Sequence, residues 1–237
     1  MKITVIHGQN HRGSTWNIAD LLVQNITGEK EVAEYFLPLD LNHFCAGCCT
    51  CLEARERCPY WREKEPVLRD MLEAELLIFT SPTYCMMPSA PMKTFLDLFF
   101  TNWMSHKPLE EMFSKRAVVI STAAGAGAKK TVGLIANNLV NWGIPRVYKY
   151  AFVVYAKNWD IVPPRKKAKI EKDMAGLAEK LSHRDRASVG PKTRFLFWFY
   201  GGMQKAGWGA SPAEKQYWSE KGWLSGGKPW KTGMKGG

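Results

Sequence analysis

Five short runs of aliphatic and β-branched residues recur along the first 160 positions, and stretches with helical spacing separate them. Positions 2–7, 31–37, 75–80, 117–121 and part of 146–155 read as strands. The first helix opens at Ser14, read as its N-cap, with Ile18, Leu21, Leu22 and Ile26 on one face. Further helices are expected near 66–74, 90–100 and 129–142. Strands that are apolar throughout, rather than alternating, belong to a parallel sheet covered on both faces. Right-handed crossovers then dictate an α/β fold, a doubly wound five-stranded parallel sheet of flavodoxin-like order 2-1-3-4-5. In such a sheet ligands bind at the carboxyl ends of the strands, beside the switch point. The loops after the first, third and fourth strands therefore carry the functional expectation.

The first loop runs through Gly8, Gln9, Asn10, His11, Arg12, Gly13, Ser14 and Thr15 into a helix N-terminus. Free N–H groups and the positive end of the helix dipole suit a phosphate there. Hydroxyls of Ser14 and Thr15, the Gln9 amide and His11 add polar contacts, although an ordinary helix cap would look similar. The second loop reads Ser81, Pro82, Thr83, Tyr84, Cys85, Met86, Met87 and Pro88. It offers extended backbone and a flat apolar surface for a heterocycle, or a simple cap on the core. The third is Thr122, Ala123, Ala124, Gly125, Ala126 and Gly127, small enough for a planar ligand to approach the backbone. It is not a dinucleotide fingerprint, which needs G-x-G-x-x-G after the first strand. Each loop is weak alone, but the topology puts all three on one edge.

Those three loops, with the helix bearing Met92, Lys93, Phe95 and Asp97, resemble the NAD(P)H-dependent FMN reductase family of flavodoxin-like proteins over residues 1–160. The resemblance implies FMN, its phosphate in the first loop and its ring between the other two. It also implies hydride delivery from NAD(P)H to the flavin in a homodimer, with no catalytic acid, base or nucleophile demanded of the protein. The family's first loop often reads Gly-Ser-Pro-Arg; here Gln9, Asn10 and His11 follow Gly8.

Five of the six cysteines crowd into the loop after the second strand: Cys45, Cys48, Cys49, Cys51 and Cys58. Without Cys49 the spacing is C-x2-C-x2-C-x6-C, which resembles the motif of iron–sulfur flavoproteins and implies a [4Fe–4S] cluster on Cys45, Cys48, Cys51 and Cys58. Reduced or redox-active thiols fit the composition equally, and zinc fits less well because its structural sites use two separate knuckles.

Charge divides the chain. From Ile161 onward there are 16 Lys+Arg against 6 Asp+Glu, while the first 160 residues hold 17 against 16. A nearly neutral core argues against a globally basic nucleic-acid-binding protein. Pro163 and Pro164 open a last helix reaching about Ser182, so the expected division is an FMN-binding domain over 1–182 and a basic, aromatic-rich extension over 183–237. The extension's interleaved lysines and aromatics suit packing on its own domain or a partner copy, then an anionic membrane surface, and nucleic acid least. No signal peptide or run of about 20 apolar residues is present, so a cytoplasmic location is expected. The leading expectation is an FMN-dependent oxidoreductase acting on a small acceptor. Its competitors are an iron–sulfur electron-transfer flavoprotein and a non-enzymatic flavodoxin-like protein that docks through its tail.

Overall fold

The computed structural model describes residues 1–183 and 187–232. The parallel strands are β1 (Lys2–His7), β2 (Glu31–Phe36), β3 (Leu76–Tyr84), β5 (Arg116–Ala123) and β6 (Arg146–Val153). They lie in the order β2-β1-β3-β5-β6, and a two-residue strand β4 (Met87–Pro88) folds back antiparallel on β3. The spatial order of the five parallel strands is the expected one; the additional β4 was not anticipated. β3 also runs four residues beyond its expected end, because Pro82 continues the parallel register opposite Thr122. Proline lacks a ladder donor, which a strand end tolerates.

Helices α1 (Ser14–Asn25) and α6 (Pro164–Ser182) cover one face of the sheet. On the other lie α3 (Trp61–Glu73), α4 (Ala90–Leu98) and α5 (Ala128–Asn141), packed around Phe79, Phe95, Phe99 and Trp142. Burying a side chain of this size contributes roughly 2–3 kcal/mol, so this aromatic cluster is a main anchor of the sheet. Two helix starts differ from the sequence reading. Ser14 is not the cap of α1: Gly13 occupies that position with extended backbone, and Ser14 is the first helical residue. The third helix begins at Trp61, with Pro66 inside it, rather than near Pro66. Proline favours a first turn, but packing of Tyr60 and Trp61 on the core extends this helix backwards past it.

Beyond α6 the chain forms α7 (Pro191–Ala206), α8 (Pro212–Glu220) and α9 (Pro229–Thr232). Phe197, Trp218 and Trp223 join Met104 and Phe113 of the sheet domain in a third core. The Trp218 indole donates to the His106 carbonyl at 2.7 Å, and the Tyr217 hydroxyl donates to the Pro108 carbonyl at 2.6 Å. Weak periodicity hid these helices in the sequence: their apolar positions are spread over several short elements that bury only one or two large rings each. Among the described residues no helix is long and apolar enough to cross a membrane.

Candidate functional site

Parallel register aligns His7 with Thr80 and Pro82 with Thr122, so the loops after β1, β3 and β5 leave one edge of the sheet together. In the first, the Asn17 N–H bonds the Gly13 carbonyl at 3.0 Å, which leaves the N–H groups of Ser14, Thr15 and Trp16 without intrahelical acceptors. Ser14 and Thr15 are buried, Gln9 is half-buried, and His11 and Arg12 are exposed. The His11 ring lies over Gly13: a Cβ there would stand 2.8 Å from its Nε2. Arg12 sits above the Trp16 ring, 4.9 Å from its centroid.

Short polar contacts join the loops. Thr15 Oγ1 and Thr122 Oγ1 are 3.2 Å apart, linking the first loop to the third. Thr83 Oγ1 lies 2.9 Å from both Ser121 Oγ and Thr131 Oγ1, linking the second to β5 and α5. Ser89 donates its hydroxyl to the Gly8 carbonyl at 2.6 Å, while its N–H donates to Ser81 Oγ at 2.9 Å. Gly127, at φ +94°, packs directly on the second loop, where a Cβ would meet the Thr83 methyl at 2.8 Å and Met86 Sδ at 2.9 Å. Ser81 opens the second loop as read from sequence, whereas Ser89 and Thr131 were not singled out there. Ser89 had a signal, since it precedes a proline-containing first turn and caps α4.

Between β3 and β4 the chain turns on two residues, Cys85 (φ +48°) and Met86 (φ +64°). Two positive φ values define the hairpin turn usually built from Asn-Gly, and side chains there cost roughly 1–2 kcal/mol each. The turn holds Tyr84 and Met86 about half exposed, beside the exposed Ala124, Gly125 and Ala126. No heavy atom lies within 4 Å of a Cβ built on Gly125, so open space stands over this loop. Pro82 and Thr83 are half-buried and Thr122 and Ala123 buried in the strands beneath, so these four support the rim more than they face outward. Free helix-end donors, open space and exposed flat side chains fit a phosphate-bearing planar cofactor.

His7 closes the floor at the end of β1. Its Nδ1 is 3.0 Å from Thr80 Oγ1 and its Nε2 is 2.9 Å from Glu34 Oε1. Burial lowers its pKa, and the bond to Glu34 only partly offsets this. A second, wider groove of about 440 Å³ runs along the β6 edge past Lys129, Lys149 and Phe152. No residue of the second loop lines it.

The cysteine loop lies between β2 and α3, with α2 (Thr50–Glu53) inside it. Cys45, Cys48, Cys49, Cys51 and Cys58 all line one small hollow of about 20 Å³ with Tyr60, Leu98 and Phe100. Cys45, Cys48 and Cys49 are exposed, Cys51 is buried and Cys58 half-buried. Burial pushes the Cys51 thiol up, whereas hydrogen bonding to Thr50 holds Cys48 below the usual thiol range. Lys64, which sequence reading passed over, is buried beside them. Its ammonium lies 3.5 Å from Cys58 Sγ and 5.1 Å from the centre of the Phe99 ring. Among the described residues no group of three or more His, Cys, Asp or Glu is arranged to hold a metal ion.

The sequence pattern of the NADPH-dependent FMN reductase family matches residues 1–157. The chain belongs to that family. An iron–sulfur flavoprotein of Archaeoglobus fulgidus is 30% identical over 122 residues, 51% of this chain and 50% of the relative. The match thus spans about half the length of that curated relative. Among solved structures, an NADH:FMN oxidoreductase in its apo form superposes with a TM-score of 0.54 at 17% identity, covering 81% of this chain and 93% of the other. An FMN-dependent NADH-azoreductase from Bacillus anthracis, in complex with FMN, gives 0.57 at 11% identity over 77% and 100%. At these identities the structural matches establish the shared flavodoxin-like fold. Family membership and fold agree with the strand order and with the position of the three loops.

Proposed function

We propose that the protein binds FMN in the three-loop rim and is an NAD(P)H oxidoreductase passing electrons to a small acceptor such as a quinone, nitro compound, ferric species or free flavin. The observation that carries this reading is the joining of the three loops into one rim, with unpaired helix-end donors at one end and open, flat surface at the other. Ser14 and Thr15, with the α1 N–H groups, hold the phosphate; Gln9 and His11 flank it. Tyr84, Met86 and the 124–127 loop border the ring, with Cys85 at the turn. Bound FMN supplies the hydride chemistry, and the protein orients it and screens it from water on one face. The protein works in the cytoplasm as a homodimer. Family membership and the names of the two structural neighbours support the cofactor and the reductant. Titration with FMN should quench flavin fluorescence at a single site, and NADH or NADPH should then bleach the bound flavin without air. Failure to bind added FMN would sink the proposal.

The cysteine hollow favours a second reading, an electron-transfer flavoprotein carrying a [4Fe–4S] cluster on Cys45, Cys48, Cys51 and Cys58. Five thiols around one mainly apolar hollow suit a cluster, and the buried Lys64 ammonium suits the negative charge that thiolates bring. A bound cluster supplies one-electron transfer. Its two exposed ligands, Cys45 and Cys48, must draw inward to meet it. Anaerobic reconstitution with iron and sulfide should add a broad, dithionite-bleachable absorbance that Cys58→Ser weakens. Flavin bands alone after reconstitution would leave the simple reductase.

A further inference from the structure

Helix α7 is amphipathic the wrong way round for a solvent-facing helix. Thr193, Phe197 and Gln204 are buried towards the third core, and Gln204 donates to the Ser105 carbonyl at 2.8 Å. The opposite face carries Phe195, Trp198 and Phe199, which are 59%, 68% and 46% exposed. Their rings adjoin, with Phe195 centred 6.0 Å from Trp198 and 6.4 Å from Phe199. Just past the helix, Trp208 is 70% exposed. Scattered apolar side chains on a surface need no explanation, but adjoining large aromatics on one helix face form a patch.

The charges that α7 itself carries share one sign. Lys192, Arg194 and Lys205 lie on α7, which has no Asp or Glu. At 100° per residue, Arg194 and Lys205 flank one side of the aromatic stripe and Lys192 the other. Lys215 brings a further ammonium to the helix end, donating to the Lys205 carbonyl at 3.1 Å.

We propose that α7 docks on an anionic bilayer surface, its aromatic stripe in the interfacial layer and its flanking cations on lipid headgroups. Rings with an apolar body suit the boundary between headgroups and acyl chains, and long cationic side chains reach outward from it. Charge complementarity selects this occupant over a second copy. A two-fold contact through the same face would set Lys192, Arg194 and Lys205 of one copy near those of the other, with no acidic residue on the helix to meet them. Nucleic-acid strands are typically held in basic grooves, whereas these rings stand on the exposed face of a single helix. The inference does not depend on FMN or on the reaction.

The test is co-sedimentation of the full chain with vesicles of phosphatidylcholine alone and of phosphatidylcholine with phosphatidylglycerol. Binding is expected on the anionic vesicles and should weaken in high salt. Both Phe195→Ser/Trp198→Ser and Lys192→Gln/Arg194→Gln should weaken it by roughly tenfold or more. These side chains are exposed, so thermal midpoint and FMN affinity should not move, which separates lost docking from lost folding. Equal sedimentation with both vesicle types, or variants that sediment like the parent, would overturn the proposal. So would a light-scattering dimer that the aromatic variant splits, which assigns the face to a second copy. Single-stranded DNA binding that the same variants abolish, without vesicle binding, would overturn it in favour of nucleic acid.

Discussion

In the rim after β1, β3 and β5, side-chain hydroxyls and two glycines join the loops to one another, whereas the cysteine loop after β2 is tied down at one end only. Its later half is fixed from outside. Arg55 donates to Thr101 Oγ1 at 3.0 Å and Asn102 Oδ1 at 2.6 Å, and also bonds the Lys107 carbonyl. Lys107 donates to the Glu53 carbonyl at 2.7 Å, and Ser211 of the tail donates to the Glu53 carboxylate at 2.6 Å. The earlier half, with Cys45, Cys48 and Cys49 exposed, includes the positive φ values of Gly47 and Cys49. Its neighbour His43 stacks on Tyr60 at 4.2 Å. The rim is interlocked in a way that suits a rigid planar ligand, while the cysteine loop leaves three of its five thiols exposed on its less anchored half. That difference suits a site for FMN beside one whose thiols must converge on a guest or exchange with one another.

The sharpest way to break this comparison is to place the same methyl group in each region. Gly127→Ala needs positive φ and collides with Thr83 and Met86, so both the strain and the clash count against it. A loss of roughly 2–4 kcal/mol is expected, with FMN affinity falling at least about tenfold as the second and third loops part. Gly47→Ala also needs positive φ, but nothing lies within 4 Å of its Cβ. Its cost should stay near the backbone strain, about 1 kcal/mol, with FMN affinity unchanged. Thermal melts and flavin titrations on both variants decide the matter; equal losses would mean that the rim is not interlocked.

A smaller effect is expected from Arg55→Ala, which removes the outside anchor. It strands the Asn102 and Thr101 acceptors, and leaving buried acceptors unpaired costs about 1–3 kcal/mol. Alkylation of the buried Cys51 should then accelerate, while the exposed Cys45 and Cys48 react as before. Mass-spectrometric rates for each cysteine provide the readout. Uniform acceleration would show that Arg55 holds the whole loop.

How much of this was legible in the sequence differs between the two regions. The rim followed from strand order: once 2–7, 75–80 and 117–121 were recognised as parallel strands, their following loops had to meet. Gly8 and Gly127 stood out as residues, but their tight contacts depend on Ser89 and Thr83, distant in sequence. The cysteines were conspicuous, and their gathering around one hollow was foreseeable from spacing. Arg55 and Lys64 were not, because a charged side chain is usually solvated, and their burial depends on the 100–107 segment and Phe99. Ser14 illustrates the local limit. A serine before an apolar-periodic run reads as a cap, yet Gly13 took the cap position and left Ser14 within the first turn.

The tail gives the mildest handle on the anchored half. Glu214 is fully buried, completes the capping box with Ser211, and lies 2.5 Å from His106 Nδ1. Burial works against its charge, but bonds to His106 and to the N–H groups of Ser211 and Ala210 outweigh that and hold its pKa below the usual carboxylate value. A folded-state value below the unfolded one means that this group stabilises the fold above about pH 4.5 and that its contribution fades as acid protonates the folded carboxylate. Glu214→Gln keeps the shape and removes the titration. The difference in melting temperature between parent and variant should therefore be constant from pH 7 to about pH 5 and shrink below that. Because Ser211 also bonds Glu53, loosening α8 should raise Cys51 alkylation less than Arg55→Ala does. A parent–variant difference that stays flat into acid would place the tether's strength in packing of Trp218 and Tyr217, with the carboxylate serving only as a cap.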